Sequence, residues 1–269
     1  MNKGLTIWFC LMGVFLTADL FSQNSGGNMA FQYGESLTYS VNCSSTFGDF
    51  NAGQADVDVQ IGKINGQPIF HFKVIGETNN FFDAFYKVCD SFESKTNIQT
   101  LLPYVFTRST REGKYSFDDE VYFDQVEGVA KSNRSVKQIP DKTYDVISAV
   151  YFMRTLSVED FGTDSIYRLN FHLDDSVYQS VIKYEGKAVV ETKWGWLPCL
   201  KVKPMLVLGE VFSNSYPMSV WITDDDNHIP VLAESEIVLG SVRMELVEYE
   251  GLKNPFIEPL SRKELREFK

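Results

Sequence analysis

The chain has 269 residues, 25 basic against 36 acidic, a net charge of -11, and is 44% hydrophobic and 23% charged with only 9 Pro and 18 Gly. These proportions exclude a disordered, collagen-like or low-complexity chain. The acidic balance, with no basic run longer than Arg262–Lys263, argues against binding nucleic acid, whose phosphates it repels.

The first segment reads as an address. Lys3 precedes an apolar run from Leu5 to Ala18, and Asp19-Leu20-Phe21-Ser22-Gln23 follows. A basic start, an apolar run and a small residue before a polar stretch predict a secretory signal peptide over residues 1–22. The run is short for a membrane span, which needs about 20 residues. Cys10 lies inside the run and no Cys stands at the expected cleavage point, so a lipid-anchored Cys is not expected. The expected location is periplasmic or extracellular. Cys43, Cys89 and Cys199 remain after cleavage. An oxidising compartment permits one disulfide in any of three pairings, and burial as small apolar residues fits equally well.

From Phe31 onward the hydrophobic period is mostly two. Leu37, Tyr39, Val41 and Cys43 alternate with polar residues, and so do Ala55, Val57, Val59 and Ile61. This alternation predicts amphipathic strands with one dry face. Asn65-Gly66 predicts a two-residue type I′ turn, because both positions need positive φ. The next strand, Pro68 to Thr78, carries Phe70, Phe72 and Val74 on one face. Downstream, Tyr104–Arg111 and Tyr115–Asp124 flank Glu112-Gly113-Lys114, and one strand is expected over Val129–Val136. Tyr167–Leu173 follows, then Val177–Tyr184 and Ala188–Lys193 around an expected Glu185-Gly186 turn. Cys199–Leu208, Met218–Thr223, Ile229–Val238 and Val242–Tyr249 complete the series. Helical crossovers of the βαβ kind are missing, which disfavours a parallel sheet.

Asn79 or Asn80 caps a short helical turn by type, and Asp145 caps a longer helix expected to reach about Leu156. In it Val146, Ile147, Val150, Tyr151 and Met153 share one side. Ser261 and Glu264 form a capping-box pattern near the C-terminus. The fold predicted is all-β: one large curved antiparallel sheet, or half-open β-barrel, with one central short helix. Residues 23–250 are expected to form a single β-rich domain and 251–269 a C-terminal tail.

No nucleophile elbow, zinc-protease helix, phosphate loop or dinucleotide glycine pattern occurs, so no catalytic residue is assigned. His71 and His172 fall on the more polar faces of their strands, where solvent exposure is expected. Asp224, Asp225 and Asp226 do not fit a calcium loop, since its sixth position would be Ile229 and its twelfth Ser235; they predict a solvated turn. No metal ligand or cofactor is expected. Asp145, Ser148, Tyr151 and Arg154, three apart, lie along one side of a helix. Arg154 there either meets an anionic headgroup or pairs with a carboxylate on the sheet. The composition also holds 21 Phe, 13 Tyr and 4 Trp. Such rings fill a core if the sheet closes and line a cavity if it does not. Tyr151, Arg154, Trp194 and Trp221 are the candidate ligand-binding residues.

Several segments in order are Tyr33-Gly34-Glu35-x-Leu37-x-Tyr39, Phe85-Tyr86-x-Val88-x-Asp90, Phe123-Asp124 and Asp145-x-x-Ser148-x-x-Tyr151-x-x-Arg154. Trp221-Ile222-x-x-Asp225, Ile229-Pro230-Val231 and Gly240-Ser241-Val242 follow. Together they resemble the exported bacterial family known as domain of unknown function 3108, over roughly Phe31 to Glu250. The resemblance implies a periplasmic or envelope protein with no established reaction. By analogy of shape it implies kinship with half-open β-barrels that hold acyl chains, such as lipoprotein carriers, although fold does not fix function. The leading expectation is a non-enzymatic binding or carrier protein for a lipid or other apolar or amphipathic molecule. A structural module that binds another envelope protein, and a hydrolase whose residues are scattered in sequence, are the alternatives.

Overall fold

Two-residue periodicity builds the strands, and their pairing gives one large, open, curved sheet. The computed structural model describes residues 30–45, 48–206, 218–237 and 240–268. The expected signal peptide lies outside the described residues. The strands are β1 (Ser36–Ser45), β2 (Gly48–Ile64), β3 (Gln67–Thr78), β4 (Cys89–Asn97), β5 (Pro103–Glu112), β6 (Tyr115–Asp124), β7 (Val129–Lys131) and β8 (Val136–Gln138). They continue as β9 (Thr143–Tyr144), β10 (Ile166–Leu173), β11 (Ser176–Thr192), β12 (Gly195–Leu206), β13 (Met218–Thr223), β14 (Pro230–Ile237) and β15 (Gly240–Glu250). Helices are α1 (Asn80–Asp83), α2 (Val146–Met153) and α3 (Arg262–Phe268).

The order across the sheet is β8-β7-β6-β5-β4-β3-β2-β1-β15-β14-β13-β12-β11-β10-β9. The first and last strands pair in the middle, and the two edges are β8 and β9. Those edge strands are consecutive in the chain, so residues 139–142 tie one edge to the other. All neighbours are antiparallel except β9, which runs parallel to β10 through Asn170↔Thr143 and Phe171↔Tyr144. α2 sits in the concavity. Its Ile147, Ala149 and Tyr151 share a core cluster with Phe72, Phe92 and Phe106 of one wing and Phe171, Ile182 and Val202 of the other.

Local chemistry accounts for the turns. Asn65 and Gly66 have φ of 51° and 78°, the type I′ pattern read from sequence. Asn79 caps α1 by accepting from the amides of Phe81 and Phe82. Asp145 Oδ1 accepts from Ile147 N and Ser148 N, while Ser148 Oγ accepts from Asp145 N, a reciprocal capping box. Ser261 and Glu264 repeat that motif at α3.

Three expectations are corrected. Glu185-Gly186 is not a turn: β11 runs unbroken, and its register against β12 shifts between Tyr184 and Gly186. Gly186, with φ of 114°, absorbs a bulge that bends a long strand. Val129–Val136 is not one strand, because Ser132 Oγ accepts from the amides of Arg134 and Ser135 and turns the chain between β7 and β8. The central helix ends at Met153, earlier than Leu156, where the Thr155 and Leu156 amides tighten onto Phe152 O and Met153 O.

Candidate functional site

The side chains singled out on α2 diverge in role. Arg154, the last residue of the α2 cap, is 2% exposed. Its Nη1 donates to Glu35 Oε1 at 2.5 Å and its Nη2 to Glu35 Oε2 at 2.9 Å. Nε and Nη2 also donate to Asn227 O, both at 3.1 Å, and Nη2 to Ala30 O at 3.2 Å. Burial works to lower the Arg154 pKa, but the carboxylate of Glu35 outweighs it and holds the guanidinium above its ordinary value. Arg154 is therefore committed to the protein and pairs with a carboxylate, as one reading of the sequence has it, though Glu35 stands one residue ahead of β1 rather than on the sheet.

The β13–β14 turn carries this network outward. Asp225 Oδ1 accepts from Thr223 Oγ1, Asn227 N and His228 N, and Oδ2 accepts from Ile257 N. Asp224 pairs with Lys187 Nζ at 2.6 Å. Asn227 Nδ2 donates to Asn254 O and Pro255 O, which ties the tail to the turn. His228 Nδ1 lies 2.8 Å from Arg154 O. These aspartates act as turn formers.

Between α2 and strands β1–β3 and β12–β15 lies an apolar cavity of about 100 Å³. Leu37, Val74, Val202, Met218 and Ala233 line it along with Tyr151 and Arg154. Val57, Val150, Val220 and Met244, also in its wall, are only partly buried, so the cavity reaches solvent. Tyr151 is 2% exposed and its ring is held between Phe72, at 3.9 Å, and Phe31, at 4.7 Å between centroids. Its Oη has no hydrogen-bond partner among the described residues. Burial pushes this phenol well above its ordinary pKa, with Glu35 adding to the rise.

The tryptophans lie elsewhere. Trp194 packs on Tyr249 of β15 and Phe256 of the C-terminal segment, at 5.4 and 5.3 Å. Trp221 alternates with the cavity-lining Val220 and Ile222, and so faces away from the cavity beneath Lys201 Nζ, 5.3 Å from its ring. Neither joins Tyr151 and Arg154. The three described cysteines are free thiols, and burial drives Cys199 up to about 12, out of range of nucleophilic use.

A polar cluster missed in the sequence, with Arg108 and Asp119 buried and Arg134 and Asp174 exposed, lies where β5, β6 and the β7–β8 turn meet the β10–β11 turn. Arg108 donates to Asp174 Oδ1 and Thr110 Oγ1, both at 2.9 Å. Arg134 pairs with Asp119 at 2.8 Å and Asp175 at 2.9 Å, and Ser132 donates to Asp175 at 2.6 Å. These contacts join the two sides of the open sheet. His172 is here, 1% exposed against Phe123, not in solvent as its strand face suggested. The wing opposite covers it, and burial lowers its pKa. His71, partly buried, meets Glu93 at 2.8 Å.

Glu112, 2% exposed, is raised from 4.5 to about 7 by burial, then by the Asp90 carboxylate. The unfolded chain then binds fewer protons than the folded one between pH 4.5 and 7, so stability falls as pH rises through that window. Glu112→Gln is expected to remove this fall and to gain about 1–3 kcal/mol at pH 8 over pH 5, relative to the unaltered protein. Urea midpoints at the two pH values check it; equal pH slopes in both proteins contradict the assignment.

Comparisons with known proteins agree with this fold. The chain is similar to the crystal structure of a beta-barrel-like protein of domain of unknown function DUF1849 from Brucella abortus. Identity is 8%, coverage 83% of this chain and 100% of that one, and the TM-score 0.54. At that identity the likeness is one of fold alone. No curated protein matches the chain. The family described as "Protein of unknown function (DUF3108)" matches residues 38–247. That span holds all of α2 with Arg154, the β13–β14 turn and most of the cavity wall, and it makes this chain a member of the DUF3108 family.

Proposed function

We propose that the protein is exported and acts without catalysis, binding or carrying an apolar or amphipathic molecule in the cavity between α2 and the sheet. The observation that carries the reading is the cavity itself: an almost wholly apolar pocket that reaches solvent beside a helix the sheet does not fully enclose. At about 100 Å³ this cavity is smaller than the apolar ones of about 150 Å³ that stay dry and take up a benzene-sized ligand, so it seats only a short stretch of an apolar chain. The basic start and apolar run at Lys3 and Leu5–Ala18 support export.

An uncharged fluorophore such as N-phenylnaphthylamine tests the reading. Its emission is expected to rise with the protein and to be quenched by lipid competitors. Ala233→Phe places a ring in the cavity wall and is expected to weaken binding at least tenfold while the far-UV spectrum stays unchanged. Unweakened binding by a folded Ala233→Phe variant would move the site elsewhere.

A further inference from the structure

A surface loop ordinarily turns its polar groups to water and its rings inward. The segment around α1, between β3 and β4, does the reverse. Thr78, Asn79 and Asp83 are half-buried, while Phe81, Ala84 and Phe85 are exposed. Asn79 accepts from the amides of Phe81 and Phe82 and donates through Nδ2 to Asn51 O of β2 at 2.6 Å. Thr78 Oγ1 accepts from Val88 N at 2.8 Å and donates to Asp83 Oδ1. Gly113 N of the β5–β6 turn donates to Lys87 O at 2.8 Å. The loop is thereby tied to β2 and to the β5–β6 turn. Phe81 and Phe85 stand out from it, 63% and 76% exposed, with ring centroids 5.5 Å apart. On the two segments that hold it, Phe50 and Tyr115 are 38% and 48% exposed.

Single exposed rings are ordinary on a protein surface, whereas contiguous exposed apolar surface marks contact with a protein or a membrane. Area decides between the two. Phe81 and Phe85 offer roughly 300 Å², well short of the about 800 Å² per side that a stable protein partner or a second copy buries. A bilayer needs no such area, since each ring gains by leaving water as it enters the interface. Charge selects the lipid. Asp83 and Lys87 pair at 3.2 Å and cancel, and the chain's net charge of -11 opposes an anionic surface. We propose that this edge of the molecule docks on a zwitterionic lipid bilayer, with Phe81 and Phe85 inserted at the level of the headgroups. The docking does not depend on what the cavity beside α2 holds.

Co-flotation with phosphatidylcholine vesicles tests it, on the protein as it accumulates in cells and on the double variant Phe81→Ser with Phe85→Ser. The unaltered protein is expected to float with these vesicles, and more weakly when phosphatidylglycerol is mixed in. The double variant is expected to partition at least about tenfold less, the effect of returning even one such ring to water. Its thermal midpoint and its N-phenylnaphthylamine emission are expected to stay unchanged, which separates the docking edge from the fold and from the cavity. In Phe85→Trp the added indole emission is expected to shift to the blue when vesicles are added. That shift reports on the loop itself, however the rest of the chain meets the lipid. Equal partition of the unaltered protein and the double variant, an unshifted indole, or tighter binding to the anionic vesicles overturns the proposal. So does a vesicle-free dimer that the double substitution dissociates, which assigns the rings to a second copy.

Discussion

Replacing Arg154 by Met is expected to lower the unfolding free energy by about 3–5 kcal/mol, the usual result of breaking a fully buried ion pair by removing one partner. The side chains of Arg154 and Glu35 are 2% and 0% exposed. The single change leaves the Glu35 carboxylate without its cation and leaves Ala30 O and Asn227 O short of a donor. Glu35→Gln is expected to cost less, since the amide keeps one acceptor for the guanidinium. Arg154→Met combined with Glu35→Leu is expected to recover most of the loss, because a buried pair replaced by apolar side chains of similar volume is often neutral or stabilising. Urea unfolding of the unaltered protein, Arg154→Met, Glu35→Leu and the double variant gives the coupling free energy directly. A coupling near zero would show that the pair does not hold α2 to the start of β1.

Phe72→Ala is expected to cost about 3–5 kcal/mol, from lost burial and the void left behind. Phe72 is 0% exposed, stacks on Tyr151 and touches Phe31 and Phe70 at 5.6 and 5.7 Å between centroids. It is the sheet residue against which α2 leans, so the loss is expected to appear first as faster amide exchange over Val146–Met153. Phe85→Ala is the control. Phe85 is 76% exposed on the α1–β4 connection, and its removal is expected to change stability by less than about 0.5 kcal/mol. Equal costs for the two would contradict the placement of the core.

Local rules made most of the sheet legible. Alternation gave the strands because a side-chain period of two leaves one dry face, and Asn65-Gly66, Asn79, Asp145 and Ser261 announced their turns and caps through backbone chemistry that needs no distant partner. What stayed hidden depends on the curl of the sheet. Glu35 meets Arg154 across 119 residues, and no periodicity links two positions that far apart. Its one signal was an acidic residue just ahead of an alternating strand, in the Tyr33-Gly34-Glu35 segment. His172 carries an ordinary polar-face pattern, yet the opposite wing closes over it. The tryptophans failed as cavity markers for the same reason: the alternation that put Val220 and Ile222 in the wall sent Trp221 to the other face. Parallel pairing of β9 with β10 rests on two residues and has no sequence signature.

The apolar cavity beside α2 is best tested by native mass spectrometry of the full protein, released gently from the compartment where it accumulates. A bound apolar species is expected, lost on Ala233→Phe and restored when lipids are added to the stripped protein. A ligand-free spectrum that a panel of esters, fatty acids and phospholipids leaves unchanged would contradict the binding function.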